Sequence, residues 1–264
     1  MIYAVIYDII CSISINEIKR NGNIEMNDIN EIKICGLQKT TLLDYPGFVA
    51  ATIFLGGCNF RCPFCHNADL LENHVPAQYT KEEILRFLNR RKAILEGVCI
   101  TGGEPTLQPG ALEELIRDIR ALGLRVKLDT NGTRPEVIKS LAHQKLLDYI
   151  AMDIKSGPDS YHTASGIPGV DLDAVKESVL WLKNGTLPYE FRTTVVKGLH
   201  HRTDFQQIGP WINGCPHYYL QNYAASDRVL HPDGFDSFSK EELLEFAEIV
   251  CPFVGEVSLR GIDY

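Results

Sequence analysis

Short apolar, β-branched runs alternate along this chain with longer stretches in which apolar residues recur every three or four positions. The short runs read as buried strands and the longer ones as amphipathic helices packed on them. Strands are predicted at residues 49–55, 97–101, 125–130, 147–154, 189–196 and 218–222, with a further terminal strand at 257–259. Helix starts are marked by capping boxes, in which a Ser or Thr and a Glu three residues later satisfy each other's free backbone N–H groups. Thr80 with Glu83, Thr133 with Glu136 and Ser239 with Glu242 have that form. The first of these helices carries Ile84, Leu88 and Leu95, and the last carries Leu243, Phe246, Ala247 and Val250. Between them, Leu112, Leu115, Ile116 and Ile119 share one helical face, closed by Gly123. Residues 172–183 form a helix ended by Asn184-Gly185, residues 204–212 form a short one, and Tyr45-Pro46-Gly47 is a turn.

Strands alternating with helices at this spacing mean βα units on a parallel sheet, an α/β architecture. Six such units predict a partial (β/α)6 TIM-like barrel rather than a complete eight-fold one. A doubly wound open sheet is the competitor, but its G-x-G-x-x-G after the first strand is missing. With no internal repeat and no low-complexity linker, residues 32–264 are expected to form one domain. Residues 1–31 read as an N-terminal extension. Its first 14 residues are apolar, but Asp8 interrupts them and no basic segment precedes them, so they do not match a secretory signal. Residues 1–25 are expected to be a poorly ordered extension or a misassigned start, with Met26 as the working initiator.

The length of 264 residues suits one barrel of this kind, typically about 250 residues. A formal net charge of −8 argues against general affinity for nucleic acid. No apolar run reaches the roughly 20 residues needed to span a bilayer. The expectation is a cytoplasmic protein with no nucleic-acid or membrane partner.

Five of the eight cysteines (Cys11, Cys35, Cys99, Cys215 and Cys251) are scattered singly and read as small buried hydrophobes. The other three form Cys58-Asn-Phe-Arg-Cys62-Pro-Phe-Cys65, directly after the first predicted strand. Three thiolates this close suit a soft-ligand metal. A structural zinc normally closes its tetrahedron with four protein ligands, and an electron-carrying [4Fe–4S] cluster normally uses four cysteines. A cluster held by three leaves one iron open to another ligand. His66 adjoins Cys65 and would strain the loop as a fourth ligand. His200, His201 and His217 read as solvated loop histidines, and Glu113, Glu114 and Asp118 as a solvated helix face. Arg61, inside the cysteine run, reads either as a charge acting on a cluster or as a surface residue.

In parallel βα architectures the active site lies at the carboxyl ends of the strands. The polar motifs of this chain fall there: the cysteine run, then Thr101-Gly-Gly-Glu-Pro105, Asp129-Thr-Asn-Gly132 and Asp153-Ile-Lys155. Arg192, inside Phe-Arg-Thr-Thr-Val-Val, should point into the barrel. Taken alone, Gly-Gly-Glu-Pro is a turn, and Asn131-Gly132 a turn before the cap at Thr133. Their convergence on strand ends makes the catalytic reading the stronger one.

The C-x3-C-x2-C run with Phe64 before its last cysteine, followed by Gly-Gly-Glu-Pro, resembles the radical S-adenosylmethionine (SAM) superfamily. More narrowly, Gly36-Leu-Gln-Lys-Thr-Thr-Leu-Leu-Asp-Tyr-Pro-Gly47, the segment 57–67 ending in Cys65-His-Asn67, and Leu259-Arg-Gly261 resemble activating proteins of anaerobic ribonucleoside-triphosphate reductases. Pyruvate formate-lyase activating enzymes are close relatives of these. The resemblance covers residues 32–264.

It implies one [4Fe–4S] cluster on Cys58, Cys62 and Cys65, the catalytic and metal-binding residues, with SAM chelating the fourth iron. Reductive cleavage of SAM would give methionine and a 5′-deoxyadenosyl radical, chemistry that belongs to the cofactors. Gly102, Gly103 and Glu104 would meet the methionine amino group, Phe64 would lie beside the adenine, and Asn67 would belong to the same cofactor-binding set. Asp129 and Thr130, with Asp153 and Lys155, match segments near the SAM methionine and a monovalent-cation site, and Lys155 would pair with the SAM carboxylate, with Arg192 in a similar role.

The implied activity is installation of a glycyl radical on a partner enzyme, first of all anaerobic ribonucleotide reductase, with flavodoxin or a similar one-electron donor. A radical SAM enzyme acting on a small molecule or peptide is the alternative. A zinc-binding interaction module is the alternative of another class.

Overall fold

The structure, a computed structural model, describes residues 31–72, 75–226, 229–231 and 233–262. The expectations for the N-terminal extension, for Met26 as start and for Cys11 fall on residues outside these. Ile32–Tyr264 forms one compact unit.

Among the described residues eight strands make one sheet in strictly sequential order: β1 (Ile34–Thr41), β2 (Ala50–Leu55), β3 (Gly97–Gly102), β4 (Arg125–Thr130), β5 (Tyr149–Asp153), β6 (Tyr189–Val195), β7 (His217–Asn222) and β8 (Glu256–Arg260). Strands β2 to β8 run parallel, each joined to the next through helix: α1 (Lys81–Arg91), α2 (Pro109–Ala121), α3 (Pro135–His143), α4 (Tyr161–Ser165) with α5 (Leu172–Asn184), α6 (Arg202–Trp211) and α7 (Lys240–Val250). An order without reversal is that of a barrel wall, whereas a doubly wound sheet turns back at a switch point. Among the described residues β1 and β8 do not pair, so the barrel is partial, with six βα units as predicted.

The two faces of the sheet divide the chemistry. Ile53, Val98, Ile100, Val126, Leu128 and Ile150 are wholly buried in the apolar core, with Ile84 and Leu88 of α1 and Leu112 and Ile116 of α2. Each such side chain stabilises the fold by roughly 1.5–3 kcal/mol relative to exposure. The alternate positions carry the polar residues. Thr52, Cys99 and Lys127 stand in register on β2, β3 and β4, and Asp153 with Arg192 on β5 and β6. Because successive side chains in a strand point to opposite faces, this second set lines the barrel interior.

Three elements differ from expectation. Strand β1 was not predicted: its sequence ICGLQKTT has no apolar run, and it pairs with β2, antiparallel and with two register breaks, and through Ile34 with Tyr79. The capping box at Thr133 and Glu136 does not form. Helix α3 starts at Pro135 after an Arg134 that makes no side-chain cap, and a proline at the first helical position has no N–H to leave unpaired. The Thr133 hydroxyl instead donates to Asn131 Oδ1 at 2.7 Å. Helix α4 is too short to show a period in sequence. Among the single cysteines, Cys35, Cys99 and Cys215 are buried as expected, whereas Cys251 is exposed just beyond α7. No helix among the described residues is long and apolar enough to cross a membrane.

Candidate active site

A cavity of about 370 Å³ opens at the carboxyl ends of the strands. All twelve residues singled out from sequence line it: Cys58, Cys62, Cys65, Phe64, Asn67, Gly102, Gly103, Glu104, Asp129, Thr130, Lys155 and Arg192. Their placement follows from three local constructions.

The first is the cysteine loop leaving β2. Its ends are closed by backbone bonds from Gly57 N–H to Leu70 O (2.7 Å) and from Cys58 N–H to Leu71 O (3.1 Å). Arg61 folds back on the loop, donating to the carbonyls of Cys58 (2.7 Å) and Phe60 (2.9 Å), and its own N–H donates to Ser165 O at the end of α4 (2.8 Å). On the far side, the N–H groups of Leu230 and His231 donate to the carbonyls of Cys65 and Pro63. The loop is thus held from inside and from two neighbouring segments. Burial pushes the Cys58 thiol up to about 12 and that of Cys62 to about 11, and raises Cys65 as well.

The second construction joins the Gly-Gly-Glu-Pro segment to that loop. Gly102 has φ 118° and packs against the Leu55 backbone, and the Glu104 N–H donates to Gly57 O at 2.8 Å. Asn67 Nδ2 donates to Gly102 O at 3.1 Å, tying the loop's far end to the same turn. The Glu104 carboxylate, 1% exposed, accepts four bonds: from Thr106 N–H (3.1 Å), Thr106 Oγ1 (2.5 Å), Thr130 Oγ1 (2.8 Å) and Asn131 N–H (2.6 Å). Burial raises its pKa, and these donors work against the rise. Asn131 in turn donates from Nδ2 to Asn59 Oδ1 at 2.8 Å, and Asn59 Nδ2 to Thr133 Oγ1 at 2.8 Å. The ends of β2, β3 and β4 are therefore one hydrogen-bonded piece.

The third construction is a buried charge ladder. Arg192 bridges two carboxylates, with Nε on Asp153 Oδ1 (2.9 Å) and an Nη on Asp129 Oδ2 (3.2 Å). Lys155 Nζ donates to Asp153 Oδ2 (2.9 Å), and Lys127 Nζ donates to Asp129 Oδ1. Within this ladder three cations face two carboxylates, and Glu104 and Asp44 are further acidic residues on the same cavity. Burial alone would raise both carboxyls. Arg192, with Lys127 beside Asp129 and Lys155 beside Asp153, outweighs it and holds both below the usual range.

His200 is a correction. It is not solvated but 2% exposed: Nδ1 accepts from Val196 N–H (3.0 Å), so Nε2 carries the proton and donates to Lys155 O (2.7 Å). A neutral ring in one tautomer thus holds the Lys155 backbone, and burial lowers its pKa to match. His201 and His217 are exposed as expected. His66 lies on the cavity wall with its ring 5.5 Å from that of Tyr223. Asn59, Asn131, Lys127 and His200 were missed from sequence. Only Lys127, a charge at an inward-facing strand position, carried a usable signal, the same one that singled out Arg192.

The donor set discriminates between metal groups. Among the described residues no three His, Cys, Asp or Glu side chains converge on a single ion position, which does not suit zinc. Three thiols around a cavity of this size suit a multi-iron cluster, and Lys155 and Arg192 on the same wall are cationic donors within reach of a bound ligand.

Comparison with known proteins agrees. Residues 52–205 match the radical SAM superfamily, and the chain belongs to that superfamily of enzymes, whose members use a [4Fe–4S] cluster and SAM. Within it, the chain is 33% identical over 237 residues to a protein of Methanocaldococcus jannaschii named as a glycyl-radical enzyme activating enzyme, covering 87% of this chain and 96% of that one. It is 29% identical over 171 residues to the pyruvate formate-lyase-activating enzyme of Clostridium pasteurianum, covering 59% of this chain and 69% of that one. Similar solved structures include SuiB of Streptococcus suis bound to S-adenosylmethionine (TM-score 0.62, 14% identity, 78% of this chain), of whose length the chain spans about half, 48%. Coproporphyrinogen III oxidase of Escherichia coli is similar at TM-score 0.55 and 14% identity, covering 80% of this chain and 53% of that one. These structural likenesses bear on the fold alone.

Proposed function

We propose that this enzyme activates a glycyl-radical enzyme, with anaerobic ribonucleotide reductase as partner and flavodoxin or a similar protein as one-electron donor. The observation that carries the reading is the match, over nearly the whole of both chains, to the relative named as a glycyl-radical enzyme activating enzyme. When bound, the cluster and SAM supply the one-electron chemistry that ends in removal of a hydrogen atom from substrate.

The chain's own residues have separable tasks in this reading. Cys58, Cys62 and Cys65 hold the cluster. Lys155 and Arg192 are the cationic donors for the SAM carboxylate, and His200 keeps the Lys155 backbone in place. The Glu104 network holds the Gly102-Gly103 backbone against the cysteine loop, where Phe64 and Asn67 complete the wall. Toward the unpaired edges of the barrel the lining changes: Gln38 on β1, Thr194 on β6 and Gln221 on β7 are neutral hydrogen-bonding side chains. Such side chains, beside the carboxylate of Asp44, suit the N–H and C=O groups of a peptide backbone, and among the described residues no strand pair closes the barrel on that side.

The test is anoxic incubation of reduced, cluster-loaded protein with SAM and the reductase. A glycine-centred doublet in electron paramagnetic resonance is the expected result. Deoxyadenosine formed without any doublet would move the substrate to a small molecule or another peptide.

A further inference from the structure

The resemblance to pyruvate formate-lyase activating enzymes implies a monovalent cation near Asp129 and Thr130, and the residues present do not fit one. Both oxygens of Asp129 are engaged, Oδ1 by the Lys127 ammonium and Oδ2 by the Arg192 guanidinium. The Thr130 hydroxyl donates to Glu104 Oε1 at 2.8 Å and accepts from Gly132 N–H at 3.1 Å, so its hydrogen and one lone pair are spent. The other carboxylate here, Asp153, has Oδ1 on the Arg192 guanidinium and Oδ2 on the Lys155 ammonium, and among the described residues no group of three or more acidic, Cys or His side chains gathers around an ion position. The Lys127 ammonium and the Arg192 guanidinium already balance the Asp129 carboxylate, so a further cation there gains little attraction.

We infer that Lys127 supplies from within the chain the positive charge at Asp129, so that SAM binding by this enzyme needs no alkali cation. Lys127 is 1% exposed and stands two residues before Asp129 on β4, on the same face of the strand. Among the described residues its ammonium also reaches Cys99 Sγ at 3.8 Å, a thiol kept neutral by burial. An ammonium so buried is costly unless paired, and Asp129 is the carboxylate that pairs it. Lys127 is thus a positioning residue: it holds Asp129, and through Asp129 the guanidinium of Arg192, at the cavity wall.

The test reads SAM affinity, which does not involve the glycyl-radical partner and so stands apart from the proposed function. Cluster-loaded protein is titrated with SAM at constant ionic strength in tetramethylammonium, sodium and potassium chloride. The dissociation constant should agree within about twofold across the three salts. An affinity that rises fivefold or more, by about 1 kcal/mol, when sodium or potassium replaces tetramethylammonium overturns the inference.

Lys127→Met supplies the converse. It should bind SAM about tenfold more weakly in tetramethylammonium and regain much of that in sodium or potassium. Unchanged affinity in all salts, or a loss that no alkali cation restores, would sink the claim. Should that variant fail to fold, the wild-type salt series decides by itself.

Discussion

Gly103 approaches Gly57 so closely that a β-carbon on it would lie 2.0 Å from the Gly57 carbonyl oxygen. That contact, with the Glu104 N–H bond to the same oxygen, makes the turn after β3 and the cysteine loop after β2 a single rigid piece. The glycine pair therefore has a steric reason to be there before any ligand is considered. Whatever moves Gly103 moves the first cysteine.

Gly103→Ala should displace the cysteine loop. The expected outcome is at least a halved iron content after anaerobic reconstitution and a destabilisation of about 1–3 kcal/mol from overpacking. Gly110→Ala is the control, because a β-carbon there meets nothing within 4 Å, near the start of α2. It should keep its iron and gain up to about 1 kcal/mol. Iron analysis and denaturant melts check both.

Cys58→Ala should leave the fold intact and abolish both the visible absorbance of a bound cluster and SAM cleavage. Cys251→Ala, at the exposed cysteine, should change neither. Metal content and SAM cleavage retained in Cys58→Ala would remove that cysteine from the site.

Glu104→Gln puts an amide where one carboxylate oxygen now stands. The two fixed backbone donors, Thr106 N–H and Asn131 N–H, bind different oxygens, so either amide orientation sets an NH2 against an N–H. A buried donor left unmet costs about 1–3 kcal/mol. The expected outcome is a lower melting midpoint together with weaker SAM binding, since the strand ends that frame the cavity separate. An unchanged melt would mean that the network can rearrange.

Arg192→Met removes the cation shared by Asp129 and Asp153 and should cost about 3–5 kcal/mol at pH 7. In the wild type both carboxyls titrate below the usual range, so their stabilisation is complete above the unfolded value near pH 4 and is lost as pH falls through the depressed folded values. In the variant the folded carboxyl pKa values rise back toward the unfolded value, so the deficit should stay level from pH 7 to about 5 and shrink as pH falls below about 4. Denaturant melts from pH 7 down to about 3 test the sign. A deficit that grows as pH falls below about 4 contradicts the ladder.

Much of this was legible without coordinates, and for local reasons. The period of apolar residues located all six βα units, and two of three capping boxes formed as written, at Thr80 and Ser239. The third failed because Asn131 and Asn59 compete for Thr133, and Asn59 is 74 residues away. Strand β1 was hidden because an edge strand lining a polar interior has no apolar signature. His200 was misjudged for a similar reason: a histidine looks solvated until Val196 N–H and Lys155 O are brought to its two nitrogens.

By itself the sequence determined the βα order, the three thiols and which strand ends carry polar groups, because each of these is written among near neighbours. Only the tertiary structure decided how those groups are spent. Glu104 turns out to be a strut between strand ends, and Asp129 is paired with an unexpected lysine and with an arginine 63 residues away. The physical reason is that a buried polar group must find partners, and which partners reach it is a matter of strand register rather than of sequence distance.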